Sequence, residues 1–198
     1  GADLFKARIN TCNLENVDFV EIDNVNTVNF YNNNLKNTNF GDMELIRNKL
    51  SPTTVTIACE RGKLKVVKKF IESGTIKDVN TYEGEDSSGN YFTLLSTATY
   101  YEQYEIVQYL LSLPGMDVSV ANSDGWTAIM QAAVHNKKNL DVMKSLLNHK
   151  TCSIDAVNKK NNDGNTALDD AKDNRGPLKN EIIQLLKSKG ALTSEQLD

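Results

Sequence analysis

The order of structural parts in this sequence repeats along the chain, and this repetition is the strongest constraint on its fold. In residues 122–150 a polar turn with Gly125 is followed by Thr127, a short Ala-rich helix, a polar break and a Leu-rich second helix. The same order begins again at Asp163, so that Thr166 follows Thr127 by 39 residues (166 − 127). Neither helix of such a unit can bury its apolar side alone, so neighbouring units have to stack. The pattern predicts an elongated helical array.

The repetition divides the chain into five predicted units of one continuous solenoid domain. Residues 1–40 are predicted to be a degenerate N-terminal capping repeat plus an Asn-rich insertion, with short helices around Ile9 and Phe19. Four repeats are expected at 41–82, 83–121, 122–160 and 161–198, the last with a C-terminal cap and a frayed tail from Thr193. Their equivalent alanines, which lie 34 (132 − 98) to 40 (98 − 58) residues apart, are Ala58, Ala98, Ala132 and Ala171.

Composition excludes several classes of function. The 198 residues carry 22 basic and 26 acidic side chains, a formal net charge of −4, whereas nucleic-acid binding requires a basic surface. We therefore expect no nucleic-acid partner. No run approaches the roughly 20 apolar residues of a membrane-spanning helix, so we expect no membrane insertion. The 39% hydrophobic content is low for a compact enzyme and fits an elongated array.

The cysteines and the first residue bear on the cellular compartment. Cys12, Cys59 and Cys152 are odd in number and widely spaced, which fits buried thiols better than a disulfide framework or a metal site. This favours a cytoplasmic location. Because the chain begins with Gly1 and not with Met, we expect a missing native N-terminus, and an exported form stays open.

The repeated parts resemble the ankyrin repeat. The resemblance is carried by DGWTAIMQAA with LDVMKSLL, DGNTALDDA with EIIQLLKSKGA, ACERGKLKVVKKFIESG, and YEIVQYLLSLPGMDVSVANSDG, and it covers nearly the whole chain. It implies an all-α, ankyrin-type α-solenoid of about five helix-turn-helix repeats with short hairpin-like tips. The family's Thr-Pro-Leu-His motif is reduced at residues 127–130 and 166–169, which lack both Pro and His. We therefore expect a looser array than an idealised one.

Two other repeats built from two helices fit the residues less well. A tetratricopeptide array has large aromatic residues within its helices, whereas Trp126 lies in a predicted turn. HEAT-like repeats tolerate a period near 40 but lack the Asp-Gly turn and the Asp-Val-Asn lead-in, which stands here at residues 78–80. The residues therefore favour the ankyrin repeat.

No residue pattern indicates catalysis, and we expect the protein not to be an enzyme. His135 and His149 lie 14 residues apart (149 − 135), and no spacing of His, Cys and Glu matches a zinc site. No glycine-rich turn between a strand and a helix indicates a phosphate site. Residues 161–165 supply too few carboxylates for a calcium loop. We therefore expect no metal and no small-molecule cofactor.

The family resemblance implies a protein-binding surface on the concave side, formed by the tips and the exposed ends of the first helices. Carried over onto repeats 3, 4 and 5, it gives candidate residues that we expect to form one patch. They are Phe92, Tyr100, Tyr101, Ser123, Asp124, Trp126, Val134, His135, Asn162, Asp163 and Asn165. Aromatic residues within a polar rim are typical of binding hot spots. The alternative is that Phe92 and Trp126 only cover the hairpins of adjacent repeats.

The sequence thus predicts a monomeric, non-enzymatic module that binds an unidentified partner protein. One alternative is an inhibitor or carrier module of a larger protein whose catalytic or membrane part lies elsewhere. A third hypothesis, from another class, is a hydrolase that uses Cys59 or Cys152 as its nucleophile. That hypothesis requires an accessible thiol with a His beside it.

Overall fold

A computed structural model describes most of the chain from the second repeat onward. The described residues are 8–10, 13, 29–31, 53–72, 74, 76, 78–80, 83–85, 91–135 and 140–198. Their helices are α1 Thr53–Glu60, α2 Leu64–Glu72, α3 Leu94–Tyr100, α4 Tyr104–Ser112, α5 Ala128–His135, α6 Asp141–Asn148, α7 Ile154–Val157, α8 Ala167–Asp173, α9 Lys179–Ser188 and α10 Ser194–Leu197. Their strands are β1 Arg8–Asn10, β2 Asn29–Tyr31, β3 Glu83–Glu85 and β4 Tyr91–Thr93.

The helices form two rows of stacked hairpins. The first helices α1, α3, α5 and α8 pack side by side in chain order, and the second helices α2, α4, α6 and α9 form an outer row. Within each hairpin the two helices also contact each other. The all-α solenoid expected from the sequence is confirmed in this part of the chain. In the same part, no helix has the length and apolarity needed to cross a membrane.

Small residues in the first helices allow this close stacking. The four equivalent alanines are at most 6% exposed. A methyl side chain lets two helix backbones approach, while larger apolar residues of the second helices fill the remaining space. The Leu-Leu pairs at 110–111, 146–147 and 185–186 predict core residues in the second helices. Of these, Leu110, Leu146, Leu147 and Leu186 are buried. Leu111 and Leu185 are only half-buried and pack against the edge of the core, so the expectation is wrong for these two.

A threonine caps the N-terminus of each first helix in repeats 3 to 5. Thr93 Oγ1 accepts the Ser96 N–H over 3.1 Å, and Thr127 Oγ1 accepts the Met130 N–H over 3.3 Å. Thr166 and Asp169 form a reciprocal capping box. In repeat 3 the sequence of residues 92–98 predicts a first helix that begins at Phe92. It begins instead at Leu94, because Phe92 and Thr93 belong to β4, which pairs antiparallel with β3 to form a hairpin at the tip.

Two expectations at the ends of the chain are wrong. Ile9 was expected in a helix, but it lies in β1, which pairs in parallel with β2 so that Ile9 is opposite Phe30. The sequence contains a warning against the helix assignment, because Leu4, Ile9, Leu14 and Phe19 are spaced five residues apart. This spacing matches neither the period of a helix nor that of an alternating strand. Most of residues 1–40 lies outside the described residues, so their assignment as a capping repeat plus an Asn-rich insertion stays a prediction.

The expected frayed tail is instead a short helix that closes the last repeat. Thr193 is 6% exposed and caps α10 with Gln196. The Ser194 N–H donates to Asp169 Oδ2 over 2.7 Å. Although burial acts to raise the pKa of Asp169, the backbone N–H groups of Ser194 and Thr166 hold that pKa below its ordinary value. The tail is therefore tied to the cap of α8.

One turn between helices carries backbone strain. Glu102 joins α3 to α4 with a φ of 54°, whereas Gly62 makes the equivalent turn between α1 and α2 with a φ of 69°. The hydrogen bonds of the two turns correspond, since Lys63 N–H donates to the Ala58 carbonyl and Gln103 N–H to the Ala98 carbonyl. A side chain with a Cβ atom disfavours this left-handed conformation, so Glu102 occupies a position that suits glycine.

We predict that Glu102→Gly stabilises the protein by about 0.5–1 kcal/mol, because removal of the Cβ strain outweighs the entropy cost of glycine. Urea unfolding followed by circular dichroism measures the change. Glu105→Gly is the matched control, since Glu105 lies within α4 and a glycine there should destabilise by about 1 kcal/mol. Equal destabilisation by both substitutions would contradict the assignment of strain to Glu102.

The neighbouring leucines of α4 give a second test. Leu110 is fully buried, so Leu110→Ala should lower the free energy of unfolding by about 2–5 kcal/mol. Leu111 is half-exposed, and Leu111→Ala should cost only about 1 kcal/mol. Urea unfolding of the two variants measures the difference, and similar losses would contradict a core-facing Leu110 and a half-exposed Leu111.

Candidate functional site

The tips of repeats 4 and 5 have the same internal hydrogen bonds. Asn122 Oδ1 accepts the N–H groups of Asp124 and Trp126 over 3.2 and 2.8 Å. Asn161 Oδ1 accepts the equivalent N–H groups of Asp163 and Asn165 over 3.0 and 2.9 Å. Both asparagines are buried. A buried asparagine side chain thus fixes the backbone of each tip, as in an Asx turn.

The two tips are also bound to each other. The Asn162 N–H donates to the Asp124 carbonyl over 3.1 Å, and Asn162 Nδ2 donates to the Ser123 carbonyl over 2.9 Å. Gly125 has a φ of +80°, and a Cβ on it would lie 2.8 Å from the backbone nitrogen of Asn162. Only glycine fits such a close approach. The backbone that carries the exposed residues Ser123, Asp124 and Asn162 is therefore held in a defined arrangement.

Trp126 directly follows this contact. Its N–H is held by Asn122, and its carbonyl accepts the Asn122 N–H over 3.0 Å. The side chain is half-buried and packs against the edge of the core. Part of the indole therefore covers the hairpins, which agrees in part with the alternative that Trp126 has a packing role. The rest of the indole remains on the surface.

A second group of predicted residues surrounds Tyr100 at the C-terminal end of α3, and it includes Phe92 from strand β4. Tyr100 stacks on Phe92 with ring centroids 5.4 Å apart, contacts Tyr101 at 4.9 Å, and contacts His135 of the next repeat at 4.1 Å. Phe92 is only 8% exposed, so it packs beneath the ring of Tyr100 and contributes almost nothing to the surface. Tyr100, Tyr101, His135 and Val134 remain half-exposed.

Part of this aromatic group joins repeats 3 and 4. At the junctions between repeats 2 and 3 and between repeats 4 and 5, side-chain amides bond the C-terminal ends of the first helices. Gln103 Nε2 donates to the Glu60 carbonyl over 2.7 Å, and Asn174 Nδ2 donates to the Ala133 carbonyl over 2.7 Å. The Tyr100–His135 contact occupies the corresponding place between α3 and α5, so these rings contribute to stacking as well as to the surface.

The predicted site residues thus fall into two groups. The tip group contains Ser123, Asp124, Trp126, Asn162, Asp163 and Asn165. The helix-end group contains Phe92, Tyr100, Tyr101, Val134 and His135. The expectation that the two groups form one patch stays a prediction.

The sequence interpretation missed two buried polar residues on the first helices. Gln131 and Asp170 stand four residues after Thr127 and Thr166, so they occupy equivalent positions on α5 and α8, which pack side by side. They are 3% and 5% exposed. Gln131 Oε1 and Asp170 Oδ2 are buried and have no hydrogen-bond partner. Buried side-chain acceptors without a partner are unusual in a folded protein.

Asp170 lies next to the tip of repeat 5. Burial raises its pKa from an ordinary value of 3.8 to about 7, with further contributions from the negative charges of Asp169 and Asp173. A side-chain hydrogen bond with Asn165 acts in the opposite direction. Near neutral pH this carboxyl group is therefore divided between its protonated and ionised forms. Gln131 and Asp170 do not form a catalytic pair, because an amide cannot act as a general acid or base.

The thiol and imidazole groups do not support the hydrolase hypothesis. Cys59 is fully buried, which raises the pKa of its thiol far above the ordinary value. Burial also raises the pKa of Cys152, although the charge of Lys189 acts to lower it. Both ring nitrogens of His149 are hydrogen-bonded, Nδ1 with Thr151 Oγ1 at 2.8 Å and Nε2 with the Leu111 carbonyl at 3.2 Å. Cys12 lies outside the described residues.

A groove of about 430 Å³ lies on the outer side of the stack between α4 and α6. Its lining residues are Gln108, Leu111, Ser112, Lys144, Ser145, Asn148 and His149. Gln108 Nε2 donates to Ser145 Oγ over 2.6 Å, and His149 binds the Leu111 carbonyl. These groove residues bond one another across repeats 3 and 4, which assigns them a structural role.

We predict a pH-dependent effect of Asp170→Asn. The folded pKa of about 7 exceeds the ordinary value of 3.8, so folding disfavours the ionised carboxylate. The free energy of unfolding contributed by this group therefore falls as the pH rises from about 4 to about 7 and stays low above that range. Asp170→Asn should be more stable than wild type near pH 8, and this gain should disappear near pH 4.

Urea unfolding at a series of pH values measures this gain. Asp155→Asn is the control, because Asp155 is an exposed residue of α7 and its substitution should not alter the pH profile. A constant difference between Asp170→Asn and wild type at all pH values would contradict the raised pKa.

Comparison with known proteins gives one family match. The sequence model described as ankyrin repeats in three copies matches residues 20–122 and again residues 95–196. No curated protein shows significant similarity to the chain. The two matched ranges together include every stacked hairpin of the structure and both groups of candidate site residues.

Proposed function

Because this chain belongs to the ankyrin repeat family, whose repeats are generally protein–protein interaction modules, we propose that it binds a partner protein through the concave face of its stack. The binding surface consists of the tip group and the exposed part of the helix-end group. The chain acts without catalysis and as a monomer. It needs no cofactor.

The fixed tips of repeats 4 and 5 are the observation that carries this proposal. Asn122 and Asn161 hold each tip from within, and Asn162 bonds the two tips together. A surface that is already ordered loses little conformational entropy on binding, so more of the contact energy contributes to affinity. Exposed Asp124 and Asp163 give this surface acceptor groups and negative charge, which select against acidic partners.

The half-exposed aromatic residues supply the apolar contact area. Trp126 stands beside the polar tips, and Tyr100 and Tyr101 stand at the helix ends. Their backbones are fixed, since Asn122 holds the Trp126 N–H and the Tyr101 N–H donates to the Thr97 carbonyl over 3.1 Å. Rigid aromatic residues within a polar rim are the usual centre of a protein interface.

The test is capture of a partner from a lysate of the source organism by the immobilised chain. We predict that wild type retains a partner and that a Trp126→Ala, Tyr101→Ala double variant loses it, because truncation at a hot spot costs about 2 kcal/mol or more. Mass spectrometry identifies the retained protein, and circular dichroism verifies that each variant is folded.

Tyr104→Ala is the matched control, since Tyr104 is an exposed aromatic residue at the start of an outer helix. This variant should retain the partner. Retention by the double variant would place the binding surface elsewhere, and failure of wild type to retain any protein would contradict the proposed function itself.

A further inference from the structure

The separation of strands β1 and β2 along the chain is not explained by the helical array. Ile9 lies opposite Phe30, which follows it by 21 residues (30 − 9). Two parallel strands need a connection that carries the chain back to the side from which it started. The described helices begin only at Thr53, so this connection is not one of the described hairpins. The strand pair therefore belongs to an element of another kind.

The sequence around both strands has a period of five residues that is interrupted once. Apolar residues at five-residue steps form a first series, Leu4, Ile9, Leu14 and Phe19, and a second series, Val25, Phe30, Leu35 and Phe40. Each member of the second series follows its counterpart in the first by 21 residues, as in 25 − 4 and 40 − 19. The pairing of Ile9 with Phe30 has the same separation. The register of the two strands thus agrees with the period of the sequence.

The residue before each of these apolar residues is polar in both series. It is asparagine throughout the second series, at positions 24, 29, 34 and 39, and in the first series it is Asp3, Arg8, Asn13 and Asp18. Asn13 is exposed and takes part in a β-bridge, five residues after Arg8 of β1 (13 − 8). Strand-like pairing thus recurs after one period. Asparagine and aspartate also favour turns, so the pattern fits a chain that bends once in every five residues.

We infer that β1 and β2 are equivalent sides of two successive coils of a parallel β-helix. A coil has four sides, because four steps of five residues and the one extra residue between Phe19 and Val25 (25 − 19) give the separation of 21. Successive coils lie about 4.8 Å apart, as paired strands do. Counterparts of the two series then stack on each other, and the apolar column that they form fills the interior of the coils. Outside the described residues, the sequence period alone assigns the chain to these coils.

A strand–helix–strand crossover is the alternative connection, and it corresponds to the helix expected around Phe19. Such a crossover accounts for one parallel pair, but it gives no reason for the period of five to continue beyond β2. The period does continue, since Leu35 and Phe40 follow Phe30 at five-residue steps. The ankyrin match begins at residue 20, whereas the described helices begin at Thr53, so the match alone does not assign residues 20–40 to a hairpin.

The inference divides the chain into two modules. The helical hairpins from Thr53 onward carry the tip group and most of the helix-end group, whereas residues 1–40 form a β module with polar residues on its outer side. This module takes the place of the degenerate capping repeat that the sequence predicts for the same residues. The inference does not rest on the proposed function, because no candidate binding residue lies within the β module.

Solution NMR of the full-length chain tests the two coils directly. Nuclear Overhauser effects between backbones should appear on every side, between residues 4 and 25, 14 and 35, and 19 and 40, as well as between Ile9 and Phe30, because all four pairs share one separation. Effects between residues i and i+3 across 14–22, without those from 14 to 35 and from 19 to 40, would indicate a helical connection and overturn the inference.

Leu35→Asp gives a second test, because Leu35 lies in neither β1 nor β2. The two coils share one interior, so a carboxylate at this position should open both of them. We expect amide hydrogen exchange of Arg8–Asn10 and Asn29–Tyr31 to become faster by about tenfold or more. The amides of α5 and α8 should keep their exchange rates, since the helical stack remains folded.

Asn34→Asp is the matched control. It introduces the same charge one residue earlier, and successive residues of a strand face opposite sides, so the carboxylate lies outside the coils. Exchange in β1 and β2 should stay within about twofold of wild type. Equal exchange rates of β1 and β2 in the two variants would also overturn the inference, because Leu35 would then share no interior with these strands.

Discussion

The whole structure depends on the burial that neighbouring first helices give one another. A single hairpin of this chain has one apolar side and nothing to cover it, so each unit is stable only within the stack. Alanine at the equivalent positions from Ala58 to Ala171 keeps the helix backbones close, and the leucines of the second helices fill the space behind them. The tips and the helix ends follow from this spacing, because every unit presents the same positions to the same side.

Polar side chains complete the junctions between repeats. Gln103, His149 and Asn174 each bond a backbone carbonyl of the preceding repeat near the end of a helix. Such carbonyls have no partner within their own helix, so a side chain from the next repeat satisfies them. The family motif Thr-Pro-Leu-His is incomplete here, and these residues supply links between repeats from other positions. The looser array expected from the loss of Pro and His stays a prediction.

Much of the fold could be predicted because helix signals are local. The capping threonines, the glycine turns and the alternation of Ala-rich and Leu-rich helices lie within a few residues of one another. The parallel pairing of β1 with β2 could not be predicted in this way, since each of these strands is defined by a partner that is distant in sequence. The hairpin of β3 with β4 is local, but strands of three residues are too short to show the alternation of apolar and polar residues that marks a strand. The tail from Thr193 was misjudged for a related reason, because its order comes from the bond between Ser194 and Asp169.

The sequence by itself determined the helical repeat, because the repeat follows from spacing along the chain, and the family resemblance supplied the candidate residues. Only the tertiary structure decided which of those residues reach the surface. Phe92 is covered by Tyr100, and Tyr100 meets His135 from the next repeat. It also decided that the atoms Gln131 Oε1 and Asp170 Oδ2 are buried without a hydrogen-bond partner. Burial and hydrogen bonding depend on neighbours brought together by stacking, and no single repeat contains that information.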